Sequence, residues 1–266
     1  MTFILNRGTA PLLVSMPHTG TDIPQALRED FVPRALAVED TDWHLARVYN
    51  CLPALGASVL RPRYSRYVID LNRPPDDMPM YPGASNTELC PTRFFTGEPL
   101  YPDGRDPSAQ ERQRRLDTYW RPYHQALREE LDRIRAEHGF ALLWDAHSIR
   151  SEIPWLFDGV LPDLNIGTAG GASAHASITQ AVADAAARYA DVSHIVNGRF
   201  KGGYITRHYG DPASHVHAVQ LEMCQNLYMK EKPPYAYQEA LAAGIQPVLA
   251  DMMAAALAAC GGLYGR

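Results

Sequence analysis

Along the chain, short apolar runs alternate with longer amphipathic stretches. Residues 11–17, PLLVSMP, form an apolar run that stops at Pro17-His18, the pattern of a buried strand ending in a loop. Residues 39–52 carry Trp43, Leu45, Ala46, Val48 and Tyr49 at roughly helical spacing. Asp40, Thr41 and Asp42 stand ahead of them as capping residue types, so a helix is expected there. Residues 57–60 and 67–71 are strand-like, the second ending at Asn72-Arg73-Pro74. Residues 107–138 put Arg and Glu on one side and Leu, Trp, Tyr and Ile on the other. That pattern predicts a long amphipathic helix, kinked or divided at Pro122 and stopped by Gly139. Residues 140–144 are a second compact apolar run leading directly into Asp145-Ala146-His147-Ser148. Beyond it the pattern predicts a loop over 163–175, an Ala-rich helix over 177–189 and a strand at Ile195-Val196. A Gly-bearing hairpin or loop over 198–210, a strand over 217–222 with a polar end and a closing helix over 237–259 follow. Strands alternating with helices predict an α/β fold, in which the carboxyl ends of the strands carry the chemistry.

One stretch resists this reading. Residues 74–104 are rich in Pro, Gly, Thr and Asn without periodicity, and so long a loop implies a functional reason. At 266 residues, the length fits one large domain over 1–266. Hydrophobic residues at 46% and charged residues at 21% are the balance of a soluble globular protein. Net charge is −5 without a long Lys or Arg run, so no nucleic-acid partner is expected. The N-terminus lacks a basic head with an apolar core, and no 18 apolar residues stand in a row. No membrane partner and a cytoplasmic location are therefore the expectation. Cys51, Cys90, Cys224 and Cys260 form no CxxC pair and read as reduced, largely buried thiols.

Against this background a few polar residues stand out. Of the ten histidines, His124, His138 and His175 have no acidic or histidine partner one helical turn away. His208, His215 and His217 lie close in sequence, which a polar loop explains as well as a metal does. His18 and His147 differ, since each follows an apolar run, and imidazole with carboxylate oxygen is a zinc donor set. Asp145 either orients His147 or caps its strand. Asn72-Arg73 suits a carboxylate-bearing substrate, because Arg offers a rigid two-pronged donor; the alternative is pairing with Asp70, Asp76 or Asp77. Glu222, at the end of VQLE, either has a buried partner or serves as a general base of raised pKa.

The blocks DLNR (70–73), His147-Ser148 and Glu222 resemble, in order, the signature of zinc carboxypeptidases, except that His18 is followed by Thr19, Gly20 and Thr21 rather than by HxxE. The closer resemblance is to the N-formylglutamate amidohydrolases. It is carried by SMPHTGTDIP (15–24), EDTDWHLARVY (39–49), YSRYVIDLNRPPDD (64–77), ALLWDAHSIRSEIPWLFDG (141–159), GRFKGGYITRHYG (198–210) and VQLEMCQNLYM (219–229). The resemblance implies a three-layer α/β/α sandwich around a central mixed sheet, as in zinc carboxypeptidases. It also implies hydrolysis of N-formyl-L-glutamate to formate and L-glutamate in histidine degradation. Within it, zinc or another divalent transition metal would be held by His18, Asp40 and His147, with Asp42 as the second choice to Asp40 and Asp22 less convincing. Glu222 would be the base. Arg73 with Asn72 would clamp one carboxylate of a small dicarboxylate substrate, Arg150 or Arg207 the other, and Tyr204 or Tyr209 would close over it. The rival readings are a zinc deacylase or carboxypeptidase acting on another N-acyl amino acid, and a carboxylate-binding protein without catalysis.

Overall fold

The computed structural model describes residues 1–79 and 87–265; residues 80–86, within the expected long loop, lie outside the described residues. The apolar runs become strands. β1 (Phe3–Asn6), β2 (Leu12–Ser15), β3 (Ser58–Pro62), β4 (Ala141–Ile149), β5 (Leu164–Gly167), β6 (His194–Val196) and β7 (Val216–Cys224) form one sheet in the order β1-β3-β2-β4-β7-β5-β6. The centre, β3-β2-β4-β7, is parallel; β1 and β5 join antiparallel, so the sheet is mixed as expected.

The period-two alternation of strand side chains divides the core into two layers. Leu12, Val14, Leu142, Trp144, Val219 and Leu221 pack on one face, with helices α1 (Leu45–Val48), α4 (Ala176–Ala187) and α6 (Glu239–Leu263). Leu13, Ala141, Leu143 and Ala218 pack on the other, with α2 (Ala109–Arg115), α3 (Arg121–His138) and α5 (Tyr204–Tyr209). The three layers follow. By length and composition α6 could cross a membrane, but its Ile245, Val248, Leu249, Met252 and Met253 are buried in the first of these cores.

Four expectations need correction. The helix over 39–52 is reduced to the single turn of α1, because Val38 (φ 46°) and His44 (φ 61°) take left-handed conformations that bend the chain around Asp40 and Asp42. Residues 67–71 are buried but irregular; the Asp70 amide bonds the Leu89 carbonyl at 2.7 Å rather than a neighbouring strand. The loop over 163–175 contains β5, and the 198–210 stretch contains α5. The long helix is divided just before Pro122, as expected: a π-helical turn at Leu116–Trp120 separates α2 from α3 and leaves the proline in the first turn of α3, where its missing N–H costs little.

Candidate active site

Three adjacent parallel strands deliver the site. Ser15 on β2 pairs with Asp145 on β4, and His147 pairs with Glu222 on β7. Alternation places Asp145 and His147 on the same face as Leu143, and Gln220 and Glu222 on the same face as Ala218. That face is apolar until the carboxyl ends of the strands and polar there. His18 follows β2 by three residues. The bend at 38–44 brings in Asp42, whose amide bonds the His18 carbonyl at 3.0 Å.

His147 Nδ1 lies 3.2 Å from His18 Nδ1 and 3.3 Å from Asp42 Oδ2; His18 Nδ1 lies 3.8 Å from the same oxygen. All three side chains are buried. Edges of this length are those of a tetrahedral face around an ion with bonds of about 2.0–2.1 Å, so three N/N/O donors converge with a fourth direction left over. Their far sides are also held. His18 Nε2 is 2.7 Å from Asp70 Oδ1, and the other oxygen of Asp70 accepts from Arg66 at 2.6 Å. The Asn72 side-chain nitrogen stands 3.0 Å from His147 Nε2 and donates to Asp145 Oδ2 at 3.4 Å. Asp145 Oδ1 is buried, makes no hydrogen bond and stands 3.2 Å from that same Nε2. It gains a partner once His147 gives Nδ1 to a metal and carries its proton on Nε2. The orphaned oxygen thus fits a metal at this cluster.

Electrostatics agree. Burial alone would lower His147, but Asp145 and Asp42 outweigh it and hold its pKa well above the usual imidazole value. Burial, joined by Arg66, pulls His18 the other way against Asp70 and Asp42. A buried pair of rings this close does not carry two positive charges, and the acidic surroundings favour a single one between them. Glu222, 8% exposed, is pushed up to about 8, chiefly by burial.

Asp40 does not join this cluster. Its carboxylate is filled by the Tyr67 hydroxyl at 2.8 Å, the Phe95 amide at 2.9 Å and Arg150 at 3.1 Å. Sequence reasoning ranked Asp40 above Asp42, and the structure groups Asp42 with the histidines, Asp40 being turned to Tyr67, Phe95 and Arg150 instead. Asp22 pairs with Arg63 at the surface. Of the expected clamps, Arg73 lines the cavity beside the cluster, its guanidinium held by the Thr87 carbonyl and hydroxyl and by the Asn72 carbonyl. Asn72 is different. Its amide is consumed by His147 and by the Ile205 amide, so it fixes His147. Arg150 is tied to Asp40 and Arg207 to the Gly202 carbonyl, and neither lines the cavity. Tyr209 stacks on His124 and Tyr204 meets the same ring edge-on, both away from the cavity.

The cavity, about 370 Å³, has His18, His147 and Glu222 among its lining residues, with Phe95, Leu156 and Phe200 as apolar wall. Sequence reasoning missed three of its cations: Arg66, Arg199 and Lys201. The signal for the last two was present in GRFKGG, read only as a glycine-bearing loop.

A profile of the family described as N-formylglutamate amidohydrolase matches residues 10–229. By this match the chain is an amidohydrolase. It belongs to the N-formylglutamate amidohydrolase family. It is 53% identical over 253 residues to the N-formylglutamate deformylase of Pseudomonas putida, covering 95% of this chain and 94% of that one. It is 54% identical over 255 residues to the N-formylglutamate deformylase of Pseudomonas aeruginosa, with the same two coverages. The crystal structure of N-formylglutamate amidohydrolase from Ralstonia eutropha JMP134 superposes with a TM-score of 0.81 over 99% of this chain and 98% of that one, at 24% identity, a likeness of fold.

Proposed function

We propose that the chain hydrolyses N-formyl-L-glutamate to formate and L-glutamate, with His18, Asp42 and His147 as donors to a divalent transition metal and Glu222 as general base. The observation that carries this is the convergence of two ring nitrogens and one carboxylate oxygen at 3.2–3.8 Å in a cavity shared with Glu222. A metal held there supplies a Lewis acid and brings the pKa of a bound water towards neutrality. Glu222 takes the proton as the water oxygen bonds to the formyl carbon, then delivers it to the glutamate nitrogen as the C–N bond breaks. A carboxylate lifted to about 8 by burial both accepts and returns a proton near neutral pH. Arg66, buried in the cavity wall and anchored on Asp70, steadies negative charge on the formyl oxygen. Arg73 grips one carboxylate of the substrate through the N–H groups that Thr87 and Asn72 leave unused. Asn72 and Asp70 position the two histidines.

The test is formate release from N-formyl-L-glutamate by the purified chain, before and after dialysis against a strong chelator and after zinc is restored. Activity should vanish and return. No formate from metal-replete protein sinks the substrate; full activity in verifiably metal-free protein sinks the metal.

A further inference from the structure

The clamp above accounts for one carboxylate, while the cavity is more positive than one carboxylate requires. Among the described residues, Arg66, Arg73, Arg199 and Lys201 line it against a single acidic residue, Glu222. Arg66, anchored on Asp70 in the cavity wall, is already assigned to the formyl oxygen. Arg199 bonds the Leu156 carbonyl and lies over the Phe157 and Phe200 rings, which ties the loop carrying it to the apolar wall. Lys201 is exposed to the cavity, and its ammonium makes no hydrogen bond or ion pair among the described residues.

The backbone that carries Lys201 is held unusually firmly. Its own carbonyl accepts from the Ala169 amide at 2.6 Å. Two residues on, the Gly203 amide donates to Gln220 Oε1 at 2.6 Å. Gly203 sits so close to Asn72 that a Cβ there would lie 2.3 Å from the Asn72 amide nitrogen. Gly202, at φ +115°, makes the turn, and a Cβ on Gly167 would meet its nitrogen at 2.7 Å. A flexible side chain thus springs from a fixed point beside Asn72, next in sequence to the Arg73 clamp. A compact ammonium on a four-carbon stem reaches a carboxylate without needing the flat approach an arginine demands.

We propose that Lys201 is the specificity determinant that reads the second carboxylate of the substrate. This rests on the deformylase reading above. Arg73 takes one carboxylate, Lys201 the other, and the apolar wall flanks the methylenes between them. Arg199 adds positive potential and tethers the loop.

The experiment compares kcat/KM for N-formyl-L-glutamate with that for N-formyl-L-glutamine, which keeps the size and loses the second charge. In the unaltered metal-loaded enzyme the ratio favours the dicarboxylate. Lys201→Gln should lower the ratio by about tenfold or more, through KM, with Lys201→Arg restoring part of it. Lys201→Met, which keeps the stem, should do the same and serves if the glutamine variant fails to fold. A ratio unchanged in a folded, metal-loaded Lys201 variant overturns the proposal. An unaltered enzyme that releases no formate from N-formyl-L-glutamate is a separate result, which removes the substrate and this proposal with it.

Discussion

Asp40 and Asp42 are chemically the same residue two positions apart, and their surroundings divide their work. Asp40 accepts from a phenol, an amide and a guanidinium, a set of donors that completes a carboxylate and holds the Phe95 loop to the core. Asp42 accepts the Ser148 amide at 3.1 Å and turns the same oxygen towards two imidazoles. Asp42→Asn should therefore weaken zinc binding by at least tenfold in a metal titration while leaving thermal stability nearly unchanged. Asp40→Asn should do the reverse, costing about 1–3 kcal/mol for the buried donors left without a full acceptor. Equal metal affinities in the two variants would show that the bend does not decide the ligand. For Glu222→Gln, metal content should be retained and kcat should fall about 100-fold or more, the range lost with a general base. Near-normal kcat in that variant would remove Glu222 from the proton transfer.

At the scale of elements, the site depends on how closely the segment after β6 is pressed against residue 72. Only glycine fits at 203, because a methyl would occupy the place of the Asn72 amide, and that amide touches His147. Gly203→Ala is expected to cost about 1–3 kcal/mol through forced displacement, read as a lowered melting temperature, and to weaken metal binding as well. Loss of stability with metal affinity intact would mean that Asn72 moves without disturbing His147. The parallel pair β4 and β7 makes the complementary contribution. Their register puts His147 opposite Glu222, and a slip of β7 by one residue would turn Glu222 away from the cavity into the apolar layer.

For the whole molecule, two buried histidines away from the metal cluster contribute to the loss of stability in acid. His124 stacks on Trp120, donates from Nε2 to the Leu71 carbonyl and is held at about 3 by burial. His217, on β7 against Tyr264, is held at about 4 by the same cause, with His175 and His215 adding to it. Both pKa values lie below that of an unfolded histidine, about 6.5, so the unfolded chain binds more protons in the interval between. Their contribution is complete above about 6.5 and is lost as pH falls towards 4 and then 3. Stability should accordingly decline below pH 6.5 in urea melts. His217→Gln should remove about one proton from that slope between pH 4 and 6.5. An unchanged slope would show that His217 charges within the folded protein.

Much of this was legible in the amino-acid sequence. Short apolar runs mark strands by themselves, since four to nine consecutive buried residues leave few alternatives, and β2, β4 and β7 emerged where the runs predicted. His18, His147 and Glu222 stood out because a polar residue at the end of such a run needs a partner or a task. The choice of Asp42 over Asp40 was not legible, because two left-handed residues, Val38 and His44, cancelled a helix that the spacing of Trp43, Leu45 and Val48 otherwise favoured. Nor could sequence separate Arg73, which lines the cavity, from Arg150 and Arg207, which do not. Arg150 is tied to a carboxylate 110 residues away, and although Arg73 and Arg207 are held by groups 1 to 14 residues away, only the fold sets which of them faces the cavity. Local spacing determined which residues had to be buried and which buried ones were polar; only the packing of distant segments decided what each polar group faces.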